Sequence, residues 1–343
     1  MKRLIALLVG LVMVFSLTAC GGSDSGSAGG DEGGESEAVT LTLAHIRPEG
    51  SSADLAIKEF CDEVTELSGG TITFEIYPAS QLGDYTAVFE RVMIGDVDMQ
   101  FATLPTSVDK FFGIANAAYL ASNWEEAQEM FATGSPIQDA ISEKLDENGV
   151  TGLCMYPLYF GGIALGVEPV DPTNPDAKSG IKIRVPSMTS FEKTAEVLGY
   201  LGTPLPSSET FTSMQTGVVD GAIGMGAEGY YSNMAELVDY FLPINDHFEC
   251  WNLIINKDKF ESLSAEQQEA LRTAAANLEA KRWEVGEAET EEYIKKLEEN
   301  GTVIVEFTDE QLKAFSDKIH EEVWPQIKDD FDADLFDEVT KGK

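Results

Sequence analysis

From Ser264 to Asn300 the chain runs without a proline and with one internal glycine, Gly286. Ser264-Ala-Glu-Gln267 opens this stretch as a capping box, in which serine hydroxyl and glutamine side chain satisfy each other's backbone amides. Leu271, Ala275, Leu278, Val285, Tyr293, Ile294 and Leu297 make an intermittent apolar stripe along it. At 1.5 Å per residue such a helix is ~54 Å long, more than a lobe of ~130 residues is wide. No single lobe can bury it. The arrangement that covers its stripe is a brace lying across two.

The preceding residues supply those lobes. Val39 to Ala44 alternates apolar residues with threonines, a first strand. Ala53 to Leu67 carries Leu55, Ile57, Phe60, Val64 and Leu67 near helical spacing, and Gly69-Gly70 stops it. Thr71 to Tyr77 is a second β-rich run, ended by Pro78. This alternation predicts an α/β protein with largely parallel sheets. An internal echo goes further. Phe89 to Asp98 and Phe211 to Asp220 share the spacing Phe-x5-Gly-x-Val-Asp, each after a turn of proline and serines. Both predict a helix, a glycine free to turn left-handed past its end, and a short strand. Two lobes of similar construction follow. Val303 to Phe307 reads as a further strand, and Thr308-Asp-Glu-Gln311 caps another helix, disturbed at Pro325.

The N-terminus gives an address. Met1-Lys2-Arg3 precedes an apolar stretch, Leu4 to Leu17, shorter than the ~20 residues that span a bilayer. Residues 1–19 therefore read as a signal peptide. Leu17-Thr18-Ala19-Cys20 resembles a bacterial lipobox, in which the cysteine is lipidated and becomes the first residue of the mature chain. After Cys20, residues 21–38 contain only Gly, Ser, Ala, Asp and Glu, an extended acidic tether. The expectation is an extracytoplasmic protein anchored to the cell membrane through Cys20.

Composition excludes several partners. With 60 acidic against 23 basic residues the formal net charge is −37, so nucleic acid is repelled. Cys61, Cys154 and Cys250 allow at most one disulfide, or three buried thiols. His247 and Cys250 are two potential metal ligands at helical spacing, short of the three or four a site needs, and no metal is expected. Gly224-Met-Gly226-Ala-Glu-Gly229 matches G-x-G-x-x-G, with Asp246 and Glu249 about twenty residues on. An exported protein does not meet cytosolic dinucleotide, so close backbone approach explains these glycines better and no cofactor is expected. No G-x-S-x-G, H-E-x-x-H or P-loop pattern occurs, which argues against an enzyme. Trp124, Trp283 and Trp324 read as core residues, and Trp251 as a pocket candidate.

Several stretches together resemble the solute-binding subunits of tripartite ATP-independent periplasmic (TRAP) transporters. They are Leu43-Ala-His45 with Gly50-Ser51, Tyr77-Pro78-Ala-Ser-Gln81-Leu82-Gly83-Asp84, Gly95-Asp-Val-Asp98-Met99, Gly180-Ile-Lys182-Ile-Arg184-Val185-Pro186, Met214-Gln215-Thr216-Gly217-Val-Val-Asp220-Gly221, and Asn256-Lys-Asp258 with Leu263-Ser264. The resemblance implies a two-lobed periplasmic-binding-protein-like fold that closes on a small organic acid, with a long C-terminal helix spanning both lobes. It would deliver the acid to a small and a large integral membrane subunit driven by an ion gradient. Residues 39–160 plus about 249–289 would form lobe I, and 161–248 plus about 290–340 lobe II. A solute-binding lipoprotein of an ATP-driven importer is the alternative.

In that family the arginine of Lys-x-Arg-Val-Pro holds the ligand carboxylate; here it is Arg184. The residues agree with this role on their own. Ile181, Ile183 and Val185 alternate with Lys182 and Arg184, and Pro186 ends the strand, which puts a planar, always-charged guanidinium near a strand's C-terminal end. A surface arginine paired with one of the many acids is the competing reading. The chain also departs from the family. Ile163 stands where many members carry a second arginine, and Ile223-Gly224-Met225 replaces a polar pair. Thr103 and Ser207 are small where others are larger. The expected pocket, completed by Phe160 and Trp251, is therefore less polar and suited to a monocarboxylate with an apolar part. His45 and Arg47, after the first strand, are candidates for a second polar contact, with a solvated loop as the alternative.

Overall fold

In the computed structural model, which describes residues 37–343, the capping box forms: the Gln267 amide donates to Ser264 Oγ and the Ser264 amide to Gln267 Oε1. The signal segment, Cys20 and nearly all of the tether lie outside the described residues. The capped helix runs Ala265–Glu299, 35 residues or ~53 Å. Leu271, Ala274, Ala275 and Leu278 pack with Leu41, Leu43, Ile57 and Phe60, whereas Leu297 packs with Tyr230, Met234 and Phe241. These are the cores of two different sheets. The long helix spans both.

Along the chain the strands are β1 Val39–His45, β2 Ile72–Tyr77, β3 Met99–Ala102, β4 Val150–Phe160, β5 Gly162–Leu165, β6 Lys182–Val185, β7 Leu201–Pro204, β8 Gly221–Met225, β9 Tyr240–Leu242, β10 Phe248–Asn256 and β11 Val303–Ile304. One sheet has the order β2-β1-β3-β10-β4 and the other β11-β9-β5-β8-β6-β7. Each is built on the same parallel β-α-β-α-β unit, with strand order second-first-third: β1, β2 and β3 in the first lobe, β6, β7 and β8 in the second. The sequence echo falls on the last helix and strand of each unit. Helix Tyr85–Met93 leads through Gly95 (φ 75°) into β3, and helix Thr210–Gln215 through Gly217 (φ 72°) into β8.

The sheets are mixed, which corrects the expectation of largely parallel ones. β10 lies antiparallel to β3 and β4, and β5 antiparallel to β8 and β9. The cause is connectivity: β5 and β10 are the strands by which the chain enters one lobe from the other, so they run against the unit they join. The two crossings touch at Gly161, whose amide donates to the His247 carbonyl at 2.8 Å. A Cβ on Gly161 would lie 2.2 Å from the His247 ring, so no larger residue fits. Around the crossings, Phe160, Phe248, Trp124 and Trp283 form an aromatic cluster, with Trp283 stacked on Phe248 at 5.8 Å. Arg282 of the long helix donates to the carbonyls of Pro157 and Leu158, where the β4–β10 register shifts.

Smaller differences follow from helix geometry. Leu55 and Leu67, read as part of the apolar stripe of helix Ser52–Leu67, are 53% and 48% exposed; the buried stripe is Ala53, Ile57, Phe60, Cys61 and Val64. The last strand shortens to Val303–Ile304, and the helices after it, Asp309–Glu322 and Trp324–Ile327, are separated just before Pro325 as its ring requires, with one more helix, Ala333–Val339, following. Cys61, Cys154 and Cys250 are free buried thiols. No helix of the described residues is long and apolar enough to cross a membrane.

Candidate functional site

Arg184 sits in β6, in register with Thr203 of β7 and Ala222 of β8, and is 2% exposed. Its Nε donates to the Leu205 carbonyl at 3.0 Å and its Nη1, weakly, to the Ile223 carbonyl at 3.4 Å. A guanidinium has five N–H groups, so most of its donors remain uncommitted. Among the described residues no carboxylate forms an ion pair with it. Burial pulls this group below its ordinary pKa; the charge of Asp84 is felt from beyond ion-pair range and only partly offsets this. A buried cation left without a counter-charge is costly, and an anion entering the site relieves the cost.

Arg47, two residues past β1, is equally buried but paired with a counter-charge. Its Nε lies 3.1 Å from Glu228 Oε2, its Nη2 donates to Tyr159 Oη at 3.1 Å, and its guanidinium lies 5.1 Å from the Trp251 ring. Burial works against its charge, yet Glu228, Tyr159 and Glu249 together hold its pKa above the ordinary value. Glu228 is on helix Ala227–Met234 of the second lobe, so this ion pair ties the lobes across the cleft. The last two glycines of the G-x-G-x-x-G stretch now have a reason: a Cβ at Gly226 would meet the Tyr159 ring at 2.3 Å, and one at Gly229 would meet Arg47 Nη2 at 2.8 Å. They admit side chains of the other lobe.

Glu249, near the start of β10, brings a carboxylate into the same space. Its Oε1 accepts from Trp251 Nε1 at 2.9 Å and its Oε2 from Asn116 Nδ2 at 2.7 Å. Thr103 Oγ1 in turn donates to Asn116 Oδ1 at 3.3 Å. Behind Glu249, His247 Nδ1 pairs with Asp246 Oδ2 at 2.7 Å, and Nε2 lies 3.5 Å from Glu249 Oε2. Burial opposes protonation of His247, but the two flanking carboxylates prevail and raise its pKa to about 9.

These groups line a partly open cleft between the lobes. The first-lobe wall carries Ile46, Arg47, Tyr85, Thr103 and Asn116; the crossing strands add Tyr159, Glu249 and Trp251. The second-lobe wall carries Arg184, Pro186, Met188, Phe191, Ser207, Gly224 and Met225. Arg184, Arg47, Thr103, Ser207, Gly224, Met225 and Trp251, all chosen from the sequence, thus meet in one cavity.

His45 and Phe160 do not. His45 points into the first-lobe core, where its Nε2 lies 3.2 Å from Asp54 Oδ1, because alternation along β1 puts it on the face of Leu41 and Leu43. Phe160 turns into the aromatic cluster, 4.8 Å from Phe248, and its neighbour Tyr159 faces the cleft instead. Tyr85, Asn116, Tyr159 and Glu249 were missed. For Tyr159 the register shift between Pro157 and Tyr159 breaks the alternation of β4, and for Asn116 and Glu249 no local pattern marks burial.

A match to a family profile decides the class. Residues 43–329 match the profile of DctP, the bacterial extracellular solute-binding protein family 7. The chain belongs to that family. The C4-dicarboxylate-binding periplasmic protein DctP of Rhodobacter capsulatus is 24% identical over 302 residues, 85% of this chain and 88% of that protein. The 2,3-diketo-L-gulonate-binding periplasmic protein YiaO of Escherichia coli K12 is 24% identical over 301 residues, 87% and 88% of the two chains. The fold matches the sugar acid binding protein DctPAm of Advenella mimigardefordensis, solved with galactonate, at a TM-score of 0.82 and 21% identity over 89% of this chain and 97% of that one. Family 7 membership and these TRAP-type relatives favour the ion-gradient reading over the ATP-driven one.

For a family 7 protein the chemistry of this cleft is recognition. An uncommitted guanidinium and hydroxyls offer donors, Glu249 offers an acceptor, and Trp251, Met225 and Met188 offer apolar surface.

Proposed function

We propose that this chain is a receptor that captures a small organic acid by lobe closure and hands it to the small and large membrane subunits of a TRAP transporter, performing no reaction itself. The solute carboxylate sits on Arg184, the remaining lining contacts its body, and Arg47 with Glu228 holds the lobes together over it. The observation carrying this reading is a buried arginine with unused donors and no carboxylate partner, facing the cleft of a family 7 fold. The apolar side chains beside it support a solute with one carboxylate and an apolar part. Cys20 would carry the lipid that keeps the receptor at the membrane.

A thermal-shift screen of organic acids tests the class, since ligand at one hundred times Kd adds ~2.7 kcal/mol of stability. With an acid found, Arg184→Ala should lower its affinity at least about thirtyfold by calorimetry, the loss of one partner of a buried charged pair. Unchanged affinity would refute the assignment. Cys20→Ala should move the protein from the membrane to the soluble fraction on centrifugation; membrane retention would remove the anchor from the proposal.

A further inference from the structure

We propose that Glu249 sets the solute class: it selects an acid whose far end donates a hydrogen bond through a hydroxyl, and rejects one whose far end is a second carboxylate. This rests on the reading of Arg184 as the seat of the solute carboxylate.

The charges of the cleft lead there. Arg47 is committed to Glu228 and Tyr159. Arg184 is the uncommitted cation, and Glu249 is a carboxylate lining the same cavity, with no lysine or arginine paired to it among the described residues. His247, its one salt-bridge partner among the described residues, is shared with Asp246 and lies nearer to it, and Arg47, whose charge Glu249 also supports, is ion-paired to Glu228. The cavity therefore offers one cation and one carboxylate to whatever enters.

Glu249 cannot turn aside. It is 5% exposed, and Trp251 Nε1 and Asn116 Nδ2 each hold one of its oxygens. A carboxylate has about four lone-pair positions, so acceptor capacity remains after these two bonds. A hydroxyl reaching it finds that acceptor already oriented. A second carboxylate finds a fixed like charge in a site of low dielectric, which is specificity by repulsion. A plain alkyl end gains neither. An ammonium is attracted to the same carboxylate, but stripping its water in a buried site costs more than the pair returns, which leaves the neutral hydroxyl favoured.

Acids of matched length make the test: 4-hydroxybutyrate, succinate and butyrate with four carbons, and 6-hydroxyhexanoate, adipate, hexanoate and 6-aminohexanoate with six. Titration calorimetry of the full chain should give the hydroxy acid of the better-bound length at least a hundredfold tighter binding than its dicarboxylate. Glu249→Gln should shrink that ratio at least tenfold, chiefly by admitting the dicarboxylate. Glu249→Met should bind hydroxy acid and plain acid alike, and keeps the test open if the glutamine variant does not fold. The inference is overturned if the wild-type protein binds the dicarboxylate, the plain acid or 6-aminohexanoate as tightly as the hydroxy acid, or if the Glu249 variants keep the wild-type ratio. Arg184→Ala separates the two levels. If it leaves all affinities unchanged, or if no acid binds the wild-type protein, the underlying reading fails with this one; if it abolishes binding while the Glu249 variants change nothing, only Glu249's role is lost.

Discussion

On the first-lobe side of the cleft Arg47 is surrounded by everything a buried cation needs: a carboxylate from the opposite lobe, a tyrosine hydroxyl and a tryptophan face. On the second-lobe side Arg184 is just as buried but has two carbonyl contacts and, among the described residues, no carboxylate in an ion pair with it. Each arginine leaves the first strand of its lobe's repeated unit, so the topology that delivers them is shared and only the company differs. That company moves their pKa in opposite directions, up for Arg47 and down for Arg184. In the proposed function this contrast separates a residue that holds the protein together from one that receives the solute.

The comparison breaks if the two respond alike to removal. Arg47→Ala leaves Glu228 buried and unpaired, and should cost about 3–5 kcal/mol in denaturant unfolding. Arg184→Ala should change stability by within about 1 kcal/mol, because the charge it removes is uncompensated. Equal losses would erase the distinction.

A second test concerns the acidic side of the cleft. The folded His247 pKa of about 9 is above its ordinary 6.5. A raised histidine stabilises fully below pH 6.5 and loses that contribution as pH rises through about 9. On the order of 3 kcal/mol should therefore disappear between these values, and His247→Gln should flatten the curve. The smallest effect sharpens the role of the tie itself. Glu228→Gln keeps a polar contact to Arg47 but removes the charge, and should weaken solute binding by about tenfold. Small-angle scattering of this variant with solute should give a larger radius of gyration than the wild-type complex.

Much of this architecture was legible in the residues. Ser264 and Gln267 announced the start of the long helix, and the absence of proline set its length. The Phe-x5-Gly-x-Val-Asp echo marked the repeated unit, because a helix end needing left-handed glycine leaves a local trace. Arg184 was readable because alternation with Ile183 and Val185 fixes its face. His45 was assigned to the cleft against the same alternation, which puts it with Leu41 and Leu43, and Phe160 was misplaced because the register shift between Pro157 and Tyr159 reverses the faces at the end of β4. Glu249 and Asn116 lie 133 residues apart and meet through tertiary packing alone. Nothing near either one distinguishes a buried carboxylate from the 60 acids of the chain. The antiparallel strands escaped for a similar reason, since strand direction depends on which lobe the chain comes from.

The long helix has a mechanical consequence. It is gripped at one end by the first core and at the other by the second, with Arg282 and Gly286, the latter against the Trp124 ring, between them. A rod clamped at both ends is no free axle. Rotation of one half of the molecule against the other has to be taken up as curvature along those turns, so the movement that releases cargo works against a spring.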